Sequence, residues 1–449
     1  MELDALYGEL RQLLEEKKFR ELRARLSEMP EIEVAHFIED LEPDKLALVF
    51  RMLPKALATD VFANLEPEEQ GHIVNTISDN ELKFIIEDLF IDDAVDMLEE
   101  MPASVVRRIL LNATPETRKQ LNEFMNFPEN SAGSIMTAEF IGLRKYMTVE
   151  QAFAYIRANG VDKETIYTCY VMDASRILLG VVTVKDLLMH SYDTVIGDIM
   201  DDYVIKVTTT QDQEEVVQIF KDYDMIALPV VDGENRLVGI ITVDDAMDVM
   251  EEEATEDFEK MAAIIPSEKP YMKTSVFELA KNRIPWLLVL MISSMITGQI
   301  LASYEKAFQV LPLLITFVPM LMDTGGNAGS QASTTIIRGM AVGDIELNEV
   351  LKALWKEFRV GLICGAVLGI VNFVRLMIQY PGNFMVCLTV ILSLYATVIV
   401  AKSLGCILPM LAKKCKLDPA IMASPLITTM VDALSLSIYF ALATQLLHI

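Results

Sequence analysis

The chain of 449 residues has few of the side chains on which catalysis and structural metal binding usually depend. Its five cysteines form no CxxC pair and four of them follow residue 360, so neither a disulfide framework nor a zinc knuckle is expected. The four histidines are scattered. Because no Walker loop, GxSxG or HExxH motif is present either, we expect that the chain is not an enzyme.

Basic patches are also missing, and the formal net charge is −27. This excludes a nucleic-acid partner, which needs lysine and arginine against its phosphates. Charge and apolarity are separated along the chain: residues 284–449 hold eight acidic and ten basic side chains, whereas residues 1–283 hold 57 and 28. The charged residues 1–16 are not expected to be a signal peptide. An acidic soluble half therefore precedes an apolar membrane half.

Five apolar runs in the second half approach or exceed the roughly 20 residues that a membrane span needs. They are 284–303, 307–337, 360–380, 384–401 and 419–447. The short segments next to these runs carry nine lysine and arginine residues on one face of the membrane and two on the other. The positive-inside rule then predicts a multi-pass protein of the cell (inner) membrane, embedded in the lipid bilayer, with a cytoplasmic N-terminus and an outside C-terminus.

Two acidic residues fall where the bilayer makes them costly. Asp432 lies near the centre of the last run, and Asp323 lies in the middle of the second. A carboxylate at mid-membrane costs about 2.5–3.5 kcal/mol on insertion scales and normally faces a polar path or a partner. Because no lysine or arginine is expected at that depth, a cation path is favoured over an anion path. A structural hydrogen bond inside the bundle is the alternative.

Residues 319–331, PMLMDTGGNAGSQ, place a proline, three glycines and several polar side chains at membrane depth. We expect this segment to interrupt the helix and to offer carbonyl, amide and carboxylate oxygens, including those of Asp323 and Asn327, to a divalent cation. A kinked, tightly packed helix is the alternative, since small residues also favour close contact. For Gly361, Gly365 and Gly369 in the third run, packing is the better interpretation.

The first 128 residues read as a string of short helices. The pattern Leu-Glu-Pro-acid occurs at 41–44 and again at 65–68, with proline suited to a first helical turn. We expect a helical superhelix. Asp88, Asp92 and Asp96 are spaced by four, so they would share one face of an unbroken helix, and a solvated acidic face is the favoured interpretation.

Residues 131–250 contain an internal repeat. The segment GVVTVKD at 180–186 returns as GIITVDD at 239–245. This pattern resembles a pair of CBS domains, which we place at 131–192 and 193–255. The resemblance implies an α/β fold and makes Thr183, Asp186, Thr242 and Asp245 candidates for binding ATP, with occupancy left open.

A dense acidic run over residues 244–259 joins this pair to the first apolar run. Two like charges 4 Å apart repel by about 4 kcal/mol at an effective dielectric of 20. A divalent cation between them would remove that repulsion. The acidic half is therefore expected to be compact with bound cations and loose without them.

The order of these parts resembles the MgtE family of magnesium channels. The corresponding domains are an acidic N-domain (1–128), the CBS pair, a connecting helix (256–283) and a five-helix all-α transmembrane pore domain (284–449). The resemblance implies a homodimer with Mg²⁺ held as a largely hydrated ion at Asp432. Ser424 and Thr428 stand where some members carry Asn and Ala, which leaves selectivity among divalent ions open. It also implies cytosolic magnesium sensing by acidic residues: Asp88, Asp92, Asp212, Glu214, Asp224, Asp245, Asp248, Glu253, Glu256 and Asp257.

The leading hypothesis is a magnesium-selective channel, opened by low cytosolic magnesium and closed when the acidic domains bind the ion. A secondary transporter of divalent cations coupled to protons or sodium is an alternative, because an interrupted second span would suit it equally well. A membrane-anchored enzyme regulated by adenylates through its CBS pair is a more distant one.

Overall fold

The computed structural model describes residues 2–267, 271–422 and 424–448. The chain forms two compact units, residues 1–249 and 250–449, and each is described by itself. The first unit contains a helical repeat followed by two small sheets. The second unit is made of long apolar helices.

Ten short helices form the start of the first unit. Glu42 and Glu66 precede helices that begin at Pro43 and Pro67, which confirms the predicted starts. Helices two apart along the chain pack on each other, for example α3 on α5 and α7 on α9, which gives the expected superhelix. The helices are α1 (Glu2–Glu15), α2 (Phe19–Leu26), α3 (Glu31–Glu39), α4 (Pro43–Phe50), α5 (Lys55–Ala63), α6 (Pro67–Thr76), α7 (Asp79–Asp88), α8 (Ile91–Glu100), α9 (Ala103–Asn112) and α10 (Pro115–Phe124).

The expected common face of Asp88, Asp92 and Asp96 is wrong. Helix α7 ends at Asp88, Leu89 is extended with φ −70° and ψ 146°, and α8 starts at Ile91. The extended residue separates Asp88 from the other two, which remain on α8. Asp92 is 9% exposed, so the predicted solvated face is wrong for this residue too.

The internal repeat folds as two matching three-stranded sheets, each with one parallel and one antiparallel strand pair. In both halves the repeated glycine lies in the last strand, and the repeated threonine ends that strand. The elements of the first half are β1 (Ile141–Arg144), α11 (Val149–Asn159), β2 (Thr168–Met172), β3 (Leu178–Thr183) and α12 (Val184–Met189). Those that follow are α13 (Ile196–Ile199), β4 (Val207–Thr208), α14 (Gln213–Tyr223), β5 (Ala227–Val231), β6 (Leu237–Thr242) and α15 (Val243–Met261).

The second unit contains α16 (Val276–Ser303), α17 (Glu305–Val310), α18 (Val318–Ala341), α19 (Val350–Gln379), α20 (Phe384–Lys414) and α21 (Ser424–Leu447). Short 3-10 turns cover Pro312–Phe317, Leu347–Glu349 and Pro419–Met422. Four segments of the described chain are long and apolar enough to cross a membrane: Val276–Ser303, Leu347–Gln379, Phe384–Lys414 and Pro419–Leu447. Helix α18 has the length, about 36 Å at 1.5 Å per residue, but is more polar.

The expected interruption of the helix within residues 319–331 is wrong. Helix α18 runs unbroken through the glycines, and Pro319 lies in its first turn, where proline is tolerated. The irregular backbone comes earlier, where run 307–337 is divided by the turn Pro312–Phe317. The alternative of tight packing is confirmed: a Cβ added to Gly325 would lie 2.7 Å from Thr397 Cγ2 and 2.9 Å from Val431 Cγ1. The second run is therefore interrupted before α18 and not within it, so the coupled transporter stays an alternative.

Helix α20 packs on α18, α19 and α21. The glycine stripe of α19 faces it, since a Cβ at Gly361 would lie 3.1 Å from Ile399 Cα and one at Gly365 would lie 3.3 Å from Tyr395 O. This confirms packing as the role of that stripe.

Candidate ion path and acidic interface

Two carboxylates lie near each other in the second unit. Asp432 on α21 and Asp323 on α18 are close enough to interact electrostatically. Asp432 Oδ1 is buried and has no hydrogen-bond partner among the described residues. A buried carboxylate oxygen without a donor is costly, so this geometry favours a cation or its water shell as the missing partner.

The structure also gives the depth of this pair. Asp323 lies in the second turn of α18, because the helix begins only at Val318. However, nearby Gly325 packs on Thr397, which lies close to the middle of the 31-residue α20. The pair therefore sits near the mid-level of the longest helix, where a carboxylate needs a polar environment.

A polar stripe runs along α18 from Asp323. Asn327, Gln331 and Thr335 follow at intervals of four residues, and all four side chains are exposed in the single chain. Residues four apart share one helix face. A polar face of this length is unfavourable against lipid, so it must face water or a second protein surface.

Glycines on the buried side of α18 allow this helix to lie close to its neighbours. A Cβ at Gly326 would lie 2.8 Å from Thr428 Cγ2, and one at Gly329 would lie 2.7 Å from Ile427 Cγ2. Gly405 makes a contact of the same kind with the carbonyl oxygen of Gly329. The glycines therefore set the separation of α18 from α20 and α21.

A buried basic side chain lies beside the polar stripe. Lys402 lies within the continuous α20, which extends the predicted run 384–401, and it is 5% exposed. Its Nζ lies 3.5 Å from Gln331 Oε1 and 4.0 Å from Glu357 Oε2 on α19. The sequence carried a signal for this residue, because Lys402 is a single charge between two apolar segments.

A cluster of carboxylates lies in the first unit, between the helical repeat and the two sheets. Asp92 Oδ1 is buried without a hydrogen-bond partner among the described residues. Burial and the charges of Asp93 and Asp245 raise the pKa of Asp92 well above its usual value. Burial, with Asp245 next in effect, likewise raises the pKa of Asp93 to about 6 and that of Glu164 to about 7.

The main cause of these pKa shifts is burial, and repulsion between the carboxylates adds to it. Burial also raises the pKa of Asp245, although its hydrogen bonds to Thr242 oppose the shift. Asp93, Glu139, Glu164 and Asp244 belong to this cluster but were not among the predicted residues, because the cluster is formed from separate segments that only the fold brings together. A bound cation would relieve the repulsion within the cluster.

Several other predicted sensor residues have local structural roles. Asp212 caps α14, its Oδ1 accepting a hydrogen bond from Glu214 N at 2.9 Å, and Asp224 ends that helix in the left-handed region at φ 49°. Asp88 ends α7, while Asp248, Glu253 and Glu256 lie along α15. Among the described residues, no group of three or more Asp, Glu, His or Cys side chains is arranged to hold a metal ion.

Within the second unit, the end of α15 carries an ion-pair network with Asp418. Lys260 Nζ lies 2.6 Å from Glu256 Oε1 and 2.6 Å from Asp418 Oδ2. Burial and the nearby Asp418 raise the pKa of Asp257 to about 6, although Lys260 opposes the shift. Two carboxylates therefore contact one ammonium at this point, and a third, Asp257, interacts with it electrostatically.

The candidate nucleotide residues pair with each other. Thr183 Oγ1 donates to Asp186 Oδ2 at 2.5 Å and accepts from Asp186 N at 3.1 Å, which forms a capping box at the start of α12. Thr242 Oγ1 donates to Asp245 Oδ2 at 2.5 Å in the second half. The repeated motif thus stabilises two helix starts.

Comparison with known proteins agrees with this arrangement. Residues 318–442 match the MgtE family model, described as a divalent cation transporter. Residues 29–130 match the MgtE intracellular N domain, and 132–193 and 196–252 match CBS domains. The magnesium transporter MgtE of Thermus thermophilus is 36% identical over 444 residues, covering 98% of both chains.

The chain belongs to the MgtE family. A second relative, the magnesium transporter MgtE of Bacillus subtilis, is 32% identical over 97% of this chain and 96% of its own. Among solved structures, the cytosolic domain of the Mg²⁺ channel MgtE in complex with ATP is 38% identical, with a TM-score of 0.52, over 54% of this chain and 99% of that one. The soluble part of a magnesium transporter matches 56% of this chain and 99% of its own at 29% identity, with a TM-score of 0.54.

Proposed function

We propose that this chain is a magnesium channel whose ions pass along α18 and α21. The observation that carries the proposal is Asp432, whose buried Oδ1 has no hydrogen-bond partner among the described residues and which interacts with the like charge of Asp323. Two carboxylates left together at this depth are compatible with a path for cations and unfavourable for anions. The relatives named as magnesium transporters support the same ion.

Magnesium suits the oxygens present. It dehydrates reluctantly and usually keeps several waters while carboxylates bind it from one side. Asp432 and Asp323 would hold such a hydrated ion, with the amide oxygen of Asn327 one turn further along the stripe.

We further propose a homodimer with five spans per chain. These are the four apolar segments and α18, which is the second span in chain order. The exposed polar stripe of α18 supports this assembly, because a second copy could enclose it as a water-filled path. With five spans, a cytoplasmic N-terminus in the cell (inner) membrane places the C-terminus outside.

The proposed gate is the acidic part of the protein. Cytosolic magnesium would bind where carboxylates repel each other, at Asp92, Asp93, Glu164 and Asp245, and would close the path. The raised pKa values of this cluster support a need for countercharge. The predicted sensor residues on α14 and α15 would complete the sensor together with the connecting segment.

ATP is the proposed nucleotide of the CBS pair. The related cytosolic domain in complex with ATP supports it. In this chain Asp186 and Asp245 each use Oδ2 for the helix cap, so Oδ1 is the oxygen that a ribose hydroxyl would approach.

The test of the path is magnesium flux in liposomes containing the purified protein. We expect Asp432→Ala and Asp432→Asn each to reduce flux at least about tenfold, because one carboxylate interaction with a divalent ion is worth more than about 1.4 kcal/mol at low dielectric. Asp344→Asn in the exposed loop before α19 is the matched control and should conduct normally. Normal flux through Asp432→Ala would show that the path lies elsewhere.

Single-channel recording separates a channel from a coupled transporter. Unitary currents too large for alternating access are expected, and their absence together with proton- or sodium-dependent uptake would favour coupled transport.

For the gate, protease resistance of residues 1–249 should rise with millimolar Mg²⁺. Unchanged resistance would remove the gating proposal and leave the path untouched.

A further inference from the structure

Lys402 is a buried charged side chain on α20 whose partners lie on α18 and α19. It is 5% exposed, and the side chain of its partner Glu357 is 13% exposed. An ionisable residue within a membrane segment is expensive and normally has a partner or a function. Here the ammonium has two oxygen partners, Gln331 Oε1 at 3.5 Å and Glu357 Oε2 at 4.0 Å.

These partners connect Lys402 to the proposed path. Gln331 belongs to the exposed stripe of α18 and lies eight residues, about 12 Å, beyond Asp323. Lys402 approaches the same glutamine from the buried side, out of α20. One oxygen of the stripe and one carboxylate of α19 therefore meet at a single ammonium.

Without the lysine, these oxygens would be ligands for a mobile cation. A carboxylate and an amide oxygen are the donors that hard divalent ions prefer. An ammonium held on a side chain satisfies the same oxygens and cannot dissociate.

We propose that Lys402 is a specificity-determining residue of the path, whose tethered ammonium occupies a cation position formed by Glu357 and Gln331. The inference rests on the proposed function, since it concerns ions that move along α18. The ammonium of Lys402 would exclude exchangeable divalent ions from Glu357 and Gln331 and so confine them to the level of Asp323 and Asp432. A path conducts only if each site releases its ion readily, so neutralising Glu357 removes a site where ions would linger.

The test compares Lys402→Met, Glu357→Gln and the double variant by liposome magnesium flux. For Lys402→Met we expect a half-saturating Mg²⁺ concentration about tenfold lower and a reduced maximal rate, because the free carboxylate now attracts divalent ions. For Glu357→Gln we expect a half-saturating concentration about threefold higher or more, because the unneutralised ammonium repels them. The double variant should return towards the wild-type values.

A second readout is independent of transport. Mn²⁺ binding to the purified protein, counted by electron paramagnetic resonance, should rise by one ion per chain in Lys402→Met and return to the wild-type count in the double variant. Lys402→Arg, which keeps the charge, should bind no additional Mn²⁺. A purely structural ion pair would change neither the count nor the direction of the two half-saturation shifts.

An unchanged Mn²⁺ count and half-saturating concentration in folded Lys402→Met would overturn the proposal. If that variant does not fold, Glu357→Gln decides, and a half-saturating concentration equal to or below the wild-type value overturns it. Absence of magnesium flux in the wild-type protein would instead contradict the proposed function, and the Mn²⁺ counts would still decide whether the lysine occupies a cation position.

Discussion

Lys260 Nζ lies 2.6 Å from Asp418 Oδ2, while the other oxygen of that carboxylate accepts a hydrogen bond from Ala420 N at 2.7 Å. The same ammonium lies 2.6 Å from Glu256 Oε1, one turn earlier on α15. Asp418 therefore joins the last turns of α15 to the 3-10 turn Pro419–Met422, which precedes α21. A displacement of the end of α15 would act directly on the start of the helix that carries Asp432.

The first prediction concerns this connection. In Lys260→Met, three carboxylates remain near one another without the ammonium, so the end of α15 should separate from Asp418 when magnesium is low. Because partly exposed ion pairs contribute about 0.2–1 kcal/mol each, we expect liposome flux at micromolar internal Mg²⁺ to rise about fivefold. Inhibition at millimolar Mg²⁺ should persist, since the ion can bridge the carboxylates.

The matched control is Lys119→Met, which removes another lysine from a helical i, i+4 pair, with Glu123 at 3.5 Å. This pair is exposed and lies in the helical repeat, so flux should be unchanged at both concentrations. Equal flux in Lys260→Met and wild type at low Mg²⁺ would mean that the ion pair does not hold the path closed.

The second prediction is a pH dependence of the first unit. The folded-state pKa values of Asp93 and Glu164, about 6 and about 7, lie above the ordinary values of 3.8 and 4.5. A raised carboxyl pKa means that the folded state binds more protons. The stability contributed by these protonated groups is complete below the ordinary values and is lost as the pH rises through 6 and 7. Without divalent ions, the first unit should therefore be less stable at pH 8 than at pH 5.5.

Hydrogen exchange of α8 in the full-length protein, corrected for intrinsic rates, measures this effect. Protection should fall from pH 5.5 to pH 8, and millimolar Mg²⁺ at pH 8 should restore it by replacing the protons as countercharge. Glu164→Gln should flatten the profile. Protection that rises with pH, or that ignores Mg²⁺, would contradict the role assigned to this cluster.

The course of α18 could not be predicted from its glycines. Glycine can interrupt a helix, and it can also let a neighbouring helix approach closely. The sequence does not distinguish these two roles. The positions of Thr397 and Val431 next to Gly325 show that the glycine allows close packing here. The repeated motif ending at Asp186 and Asp245, in contrast, was recognisable from the sequence because it is local, although its capping of two helices was not predicted. Glu164 could not be identified, since its partners on α8 and α15 are distant in the sequence.

The third prediction tests that packing. In Gly325→Ala the added Cβ would lie 2.7 Å from Thr397 Cγ2 and 2.8 Å from Ser435 Oγ, so α18 must move away from α20 and α21. Overpacking of this kind costs about 1–3 kcal/mol, and the thermal midpoint of the detergent-solubilised protein should fall. Gly298→Ala in α16, where a Cβ would meet nothing within 4 Å, should not lower it. Equal midpoints for the two variants would show that the close approach of α18 contributes nothing to stability.

The last prediction separates the two roles of the Thr–Asp pairs. Thr183→Ala removes the cap of α12 and should cost about 1 kcal/mol with or without nucleotide. Asp186→Asn keeps a side chain that can still accept a hydrogen bond at the cap but weakens an acceptor for ribose hydroxyls, so it should chiefly reduce the stabilisation by ATP. Asp245→Asn makes the same change in the second half of the pair, and the variant that loses the ATP-induced rise in thermal midpoint identifies the half that binds. If both variants retain the full rise, these aspartates act only as caps, and the nucleotide, if bound, is held by other residues.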